Sequence, residues 1–322
     1  MRKKVIILNS YPGARLANQL WNFISIYAYC LEKNFACRNY CFFEEKKHKD
    51  KNNRITYKNY YNYFKIPIGA PAKFLITLHL TLAKIWKKTR LYHRFAALIE
   101  KTRPGQILYS GEQETFYLPP SVNKNQAQLK KLAEIEFNDK IYLSGWLFKN
   151  PAGLVKYRKE ITAYFKPKDK IQKKVNSLTA ELKSKFKHLV GVHIRQGDYK
   201  IDFRGGELYF DEKSVANLLR SYLKNFNKNK AETVFIICSD GAINMADFSG
   251  LNAIKSDFNA VNDLFLLAAA DIIIGSDSTF GALAAYFGNI PIIIFQQDKI
   301  DWDYYRNKNK YFNNKYITTV NF

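Results

Sequence analysis

Residues 189–200 read LVGVHIRQGDYK, and this stretch sets the reading of the whole chain. Leu189, Val190, Gly191 and Val192 form the apolar end of a short buried strand. His193, Ile194 and Arg195 then alternate polar, apolar, polar, and Gln196, Gly197 and Asp198 make a turn. The side chains of His193, Arg195 and Asp198 therefore gather where a strand opens into a loop, the place where open α/β sheets bind ligands. An arginine there presents a planar fork of donors that suits a phosphate or pyrophosphate better than a flexible lysine does. The plainer reading is an Arg195–Asp198 ion pair that closes the turn, and these residues alone leave both readings open.

At 322 residues and 47% hydrophobic, the chain is globular, can bury a substantial core and is expected to form two domains. Its net charge of +23, from 51 Lys and Arg against 28 Asp and Glu, points to an anionic partner: nucleic acid, an acidic membrane surface or a phosphorylated substrate. The charge is mostly lysine, dispersed over residues 46–51, 84–94, 124–131, 166–187 and 306–315, the pattern of a solvated surface. Cys30, Cys37, Cys41 and Cys238 form no CxxC pair and have no His at metal spacing, which speaks against a zinc site or a redox motif and for reduced thiols in the cytosol. The apolar runs 5–8 and 264–275 are too short for a signal peptide or a membrane span. The expected location is cytoplasmic, with the lysines able to hold the protein peripherally on the inner face of a membrane.

Toward the N-terminus, residues 5–8 are a compact apolar strand and residues 9–14 a loop containing Pro12 and Gly13. Leu20, Phe23, Ile24, Tyr27 and Leu31 then fall at helical spacing. This is a nucleotide-fold beginning without the G-x-G-x-x-G fingerprint and without the Lys and Ser/Thr of a phosphate loop. Asn18 and Gln19 are adjacent amides at the helix start, placed to cap it or to touch a ligand. Residues 35–43 read as a second strand, 46–64 as an aperiodic insertion or acceptor-side loop, and 71–100 as a long helical pattern, a core-facing helix with charged flanks or one whose aromatics and lysines touch lipid headgroups. Residues 141–143 are a strand before Ser144, Gly145 and Trp146, and a helix runs from Pro151 to about Phe165. Residues 166–170 are the expected domain boundary.

Beyond that boundary, a helix over 171–186 leads into the central strand. An amphipathic helix over 214–226 and a strand over 233–238, ending in Ser239, Asp240 and Gly241, follow it. A helix over 261–270, a strand over 271–275, a helix over 278–287 and a final strand over 290–295 complete the pattern. Strands alternating with helices predict parallel sheets with helices on both faces. Ser276, Asp277, Ser278 and Thr279 lie at a helix N-terminus, where backbone N–H groups and the helix dipole attract an anion. Asp277 or Ser278 can equally be the N-cap, worth about 1 kcal/mol. Both readings hold together, although the charge of Asp277 opposes an anion unless it turns away.

These residues carry a resemblance. HIRQGDY resembles the HxRRGDY motif of the α-1,2-fucosyltransferases (glycosyltransferase family 11), shared in outline with α-1,6- and protein O-fucosyltransferases. In the same order, GARLANQLW (13–21) resembles that family's G-G-x-L-G-N-Q loop, FIICSDG (235–241) its FSDD segment, and GSDSTFGALAAYFGN (275–289) its N-S-T-F-S-W-W-G-A-W-L segment. The resemblance implies an α/β GT-B fold, two Rossmann-like domains with parallel sheets facing a cleft. Residues 1–165 would form the acceptor side and 166–322 the nucleotide-sugar side, with the C-terminal segment able to pack back on the first domain.

It further implies an inverting transfer of L-fucose from GDP-fucose to a glycan hydroxyl, without metal or other cofactor, in surface-polysaccharide or O-antigen synthesis. By the resemblance Arg195 holds the donor diphosphate and stabilises the leaving GDP, His193 helps place the nucleotide or sugar, and Gly197 belongs to the same turn. Ser276, Ser278, Thr279 and Phe280 form the phosphate segment, and Gly13, Asn18 and Gln19 face it from the other domain; Asp240 helps hold the nucleotide. An inverting transfer needs a base for the acceptor hydroxyl. Asp198 is the motif's carboxylate, able also to brace Arg195, while Asp202 and Glu207 follow in the next loop.

Gln196 stands where the family has a second arginine, Ala14 and Ala17 replace glycines, and Gly241 replaces an aspartate. Asp277 and residues 281–283 replace N-S and S-W-W, which bears on sugar and acceptor choice more than on the diphosphate site. The expected partners are a nucleotide-sugar donor and a glycan acceptor, lipid-linked on the cytoplasmic leaflet. The alternatives are a related transferase using another nucleotide sugar, a nucleotide-sugar binder without activity, and a basic protein that binds nucleic acid or a membrane surface. The last leaves the HIRQGDY and SDSTF turns without a task.

Overall fold

A computed structural model describes residues 2–9, 15–39, 41–46, 56–67, 98, 101–102, 107–111, 115–121, 125–201, 206–296 and 300–306. The chain divides into two compact units, Met1–Lys166 and Pro167–Phe322.

In the first unit, strand β1 (Lys4–Asn9) leads to helix α1 (Leu16–Glu32), followed by β2 (Ala36–Asn39), β3 (Phe43–Lys46) and β4 (Thr56–Asn59). Then come β5 (Ile107–Tyr109), β6 (Phe116–Tyr117), α2 (Gln126–Glu136), β7 (Lys140–Ser144), β8 (Phe148–Lys149), α3 (Pro151–Lys156) and α4 (Arg158–Tyr164). The main sheet runs β2-β1-β7-β5 with every neighbouring pair parallel. Helix α1 buries almost its whole circumference, which makes it a central core helix rather than a surface one. Phe23, on α1, meets Phe165 edge-on at 4.9 Å and Phe42 at 5.5 Å.

Three expectations are corrected here. The strand expected over 35–43 ends at Asn39, whose side-chain oxygen accepts from the Cys41 amide and turns the chain. The described part of residues 46–64 is ordered: β3 and β4 pair antiparallel and a 3-10 turn, Tyr60–Asn62, follows, the Tyr61 amide donating to the Asn59 side chain, while residues 47–55 lie outside the described residues. The single helix expected over 151–165 is two, broken at Tyr157, whose hydroxyl donates to Glu32 on α1. The helical pattern of residues 71–100 lies outside the described residues apart from Leu98.

The second unit contains α5 (Asp169–Lys185), β9 (His188–Ile194), α6 (Gly197–Ile201), α7 (Glu212–Asn225), β10 (Thr233–Ser239) and β11 (Ala253–Lys255). It continues through α8 (Ala260–Ala268), β12 (Ile272–Gly275), α9 (Thr279–Gly288), β13 (Ile292–Ile294) and α10 (Trp302–Arg306). Its sheet is wholly parallel, in the order β11-β10-β9-β12-β13, so β9 is the central strand. Val190, Val192 and Ile194 point to one face and pack with Val215, Ala216 and Leu219 of α7. Gly191 lies on the other, where a Cβ would stand 2.9 Å from Leu267 of α8. That close approach of helix to sheet is what the glycine in LVGVHI allows. Ile300, Trp302 and Tyr305 join the core of this unit; residues 307–322, to which a return to the first unit would fall, lie outside the described residues. Among the described residues no helix is long and apolar enough to cross a membrane, and all four cysteines are buried free thiols.

Candidate functional site

The C-terminal ends of β9, β10 and β12 bring His193, Arg195, Asp240 and Ser276 together. The Ser276 amide donates to the His193 carbonyl at 2.9 Å, and the Ser276 hydroxyl accepts from the Arg195 amide at 2.9 Å. On the other side, Asp240 Oδ1 accepts from the amides of Gln196 at 2.8 Å and Gly197 at 3.2 Å. The turn expected at residues 196–198 is in fact the start of a short helix, α6, whose orphan amides are satisfied by this carboxylate from the neighbouring strand. Gly197 has to be small: a Cβ there would stand 2.7 Å from Asp240 Oδ2.

The Arg195 guanidinium is held on two sides. Nε and Nη2 each lie 2.8 Å from Asp198 Oδ1, and Nη1 lies 2.9 Å from Asp240 Oδ2. The side chain is 16% exposed, so the fork reaches solvent at the C-terminal end of the sheet while its orientation is fixed. The ion pair that closes the turn and the cation at the ligand edge are thus the same group. Asp240 serves the turn and Arg195 with both of its oxygens. Glu207 is exposed, and Asp202 lies outside the described residues.

His193 is buried beneath this turn, and its Nδ1 meets no hydrogen-bond partner among the described residues. The Phe280 ring lies 5.1 Å from the imidazole, and a Cβ on Gly281 would lie 3.5 Å from Nδ1. Burial, and then the Arg195 charge, pull its pKa down to about 4, against the opposing pull of Asp240. At neutral pH it is therefore a neutral imidazole. Ser278 is the N-cap of α9, its oxygen accepting from the Phe280 amide at 3.1 Å, and Thr279 is the first helical residue. The exposed Asp277 has its carbonyl held by the Tyr199 hydroxyl at 2.6 Å.

In the first unit, Asn18 is half-buried and Gln19 buried in the first turn of α1, whose N-cap is Arg15; neither amide is the cap. Gly13 lies outside the described residues. The reading of the sequence missed two contributors to this site and, within the first unit, one buried amide that holds the chain after β7. Tyr199 latches the β12–α9 loop to α6 and lies under Arg195, its ring 5.7 Å from Cζ. Glu212 accepts from the Gln196 amide group at 3.0 Å. Asn22 accepts from the Phe148 amide and donates to the Gly145 carbonyl. Tyr199 stood in the quoted motif; the other two had no local signal. Among the described residues no group of three or more His, Cys, Asp or Glu is placed to hold a metal ion.

Asp263 in α8 titrates against His193. Burial raises it to about 6, opposed by hydrogen bonds from Ser256, at 2.5 Å, and Cys238. For His193 the unfolded chain binds the extra proton between pH 6.5 and about 4, so stability falls as pH drops through that window. For Asp263 the folded chain binds it between about 6 and 3.8, so stability rises as pH drops. The two oppose each other, and a flat stability profile between pH 6 and 4 is expected from this pair. In Asp263→Asn, urea unfolding should show a gain of up to about 3 kcal/mol at pH 7 and a steep acid loss that the parent lacks. Equal slopes for the two proteins would refute this.

The model of glycosyl transferase family 11 matches residues 134–318, more than half of the chain. The crystal structure of POFUT1 in complex with GDP-fucose is similar with a TM-score of 0.53 at 11% identity, covering 91% of this chain and 98% of that one. An arginine-to-lysine mutant of Arabidopsis thaliana FUT1 in complex with GDP gives a TM-score of 0.50 at 11% identity, covering 93% and 72%. No curated protein sequence matches the chain. The likeness is one of fold, and the fold is GT-B.

Proposed function

The chain belongs to glycosyl transferase family 11 and is a glycosyltransferase, and from that premise we propose that it transfers L-fucose from GDP-fucose to a glycan hydroxyl with inversion, forming an α-1,2 linkage. The acceptor we propose is a lipid-linked intermediate of surface-polysaccharide or O-antigen synthesis. The observation that carries the reading is the Arg195 fork, fixed by Asp198 and Asp240 at the end of the central strand. As the acceptor oxygen attacks the anomeric carbon, the bond to the β-phosphate breaks and charge grows on the departing GDP. A guanidinium already oriented there stabilises that charge without reorganising. In this proposal it does what a divalent ion does in other transferases. Neutral His193 positions the nucleotide or sugar, and Ser278 and Thr279 meet phosphate at the start of α9.

The acceptor proton passes to Asp198. Its contacts with Arg195 all fall on Oδ1, which leaves Oδ2 outside them. Asp198→Asn is expected to lower kcat about a thousandfold while GDP affinity stays within about threefold. An equal loss in GDP affinity would make Asp198 a brace for Arg195 and remove it as the base.

Calorimetric titration with GDP, GDP-fucose, GDP-mannose and UDP in the presence of a chelator, followed by a transfer assay on β-galactoside acceptors, tests the whole reading. Guanine-selective, chelator-insensitive binding and an α-1,2-fucosylated product are expected. Equal binding of UDP, or a product only from GDP-mannose, would replace it with a related transferase of different donor. Gln196, held by Glu212 where the family motif has an arginine, is the residue that would then account for the change.

A further inference from the structure

Of the five large hydrophobic side chains exposed among the described residues, three lie around α2. Phe137, directly after the helix, is 86% exposed, Leu129 is 38% exposed, and Tyr109 on the sheet-edge strand β5 is 47% exposed. Gln128, Leu132 and Ile135 are the buried row of α2, and at 100° per residue Lys130 and Phe137 fall opposite that row. Lys131 sits on one shoulder with its ammonium 5.9 Å from the Tyr109 ring, and Leu129 on the other.

At the helix end, Lys4 of β1 and Lys140 of β7 stand directly opposite each other in register. Like charges in that position repel, and an anionic partner relieves them. The acids nearby are Glu134 and Asp139, both exposed, and Glu136, which is occupied by Tyr29 and Lys33. Exposed aromatic and aliphatic side chains ringed by lysines, on a chain of net charge +23, fit one partner above others. A second copy of the chain carries the same charge and is repelled. A nucleic acid offers no apolar layer for Leu129.

We propose that this face of the first unit docks on an anionic lipid surface, with Phe137 and Leu129 entering the headgroup layer and Lys130, Lys131 and Lys140 meeting the headgroup charge. The proposal rests on this surface alone and not on fucosyl transfer, so the two stand or fall separately. None of its residues belongs to the Arg195 site, and the variants below leave activity on a soluble acceptor unchanged.

The test is co-sedimentation of the full chain with vesicles of phosphatidylcholine, alone or with about one third phosphatidylglycerol, at low and high salt. Binding only to the anionic vesicles is expected. Leu129→Ser with Phe137→Ser should weaken it at least about tenfold, because the apolar contribution is lost. Lys130→Gln, Lys131→Gln and Lys140→Gln together should weaken it similarly and flatten its salt dependence. As a control of equal charge, Lys173→Gln, Lys174→Gln and Lys183→Gln on the exposed side of α5 should change it less than about twofold. Melting temperatures show that each variant is folded. No binding to anionic vesicles, or an equal loss in the α5 control, would overturn the proposal. So would a parent dimer that Phe137→Ser dissociates, or an oligonucleotide affinity that the α2 variants abolish while vesicle binding stays intact.

Discussion

Arg195→Ala is expected to lower kcat/KM for GDP-fucose by on the order of a thousandfold, a loss shared between binding and turnover, unlike that of Asp198→Asn. Among the described residues the guanidinium is the one cation fixed at the end of β9 from two sides, and its removal deletes both the charge and the donor fork. Part of the loss should appear in GDP affinity, since phosphate is bound in the ground state too, and the larger part in kcat, where the leaving-group charge is greatest. Arg195→Lys keeps the charge but meets Asp198 and Asp240 with a single ammonium, so it should recover only a fraction of the activity. Folding should survive both changes, because Asp240 still accepts from the amides of Gln196 and Gly197. Full activity in the folded alanine variant would remove Arg195 from the reaction.

Gly145→Ala is expected to destabilise the first unit by about 3 kcal/mol or more, visible as a drop in melting temperature with no direct change at Arg195. Gly145 has φ +128°, a conformation L side chains rarely adopt, and a Cβ there would stand 1.8 Å from the Ser110 carbonyl oxygen. No rotamer relieves a clash with backbone. Relief requires moving β5 away from β7, yet the Ser110 amide donates to the Ser144 carbonyl and the Ser110 hydroxyl accepts from the Leu147 amide. Gly111→Ala is the matched control, since a Cβ there meets nothing within 4 Å. Comparable stability of the two variants in urea would show that this geometry is not enforced.

What the sequence made legible was local and strongly patterned. The alternation in HIRQGDY put His193, Arg195 and Asp198 at a strand end, and the apolar runs over 233–238 and 271–275 marked the strands beside it. What escaped depends on distance along the chain. The Arg195–Asp240 contact spans 45 positions, and nothing near Asp240 announces that its carboxylate will cap α6. Strands of two or three residues such as β6, β8 and β11 are too short for a period to show. The break at Tyr157 falls where its hydroxyl meets Glu32, 125 positions away, a contact that helix propensity cannot foresee.

Gly241 and Gln196 lie 45 positions apart in the chain, and each departs from the motif pattern that the sequence resembles. In space they are one feature, because a Cβ on Gly241 would stand 2.3 Å from Gln196 Oε1. Neither position carries a charge, and Glu212 accepts from the side chain at 196. The missing side chain at 241 is thus the space that the Gln196 side chain occupies, and a larger residue at 241 has to displace it from Glu212.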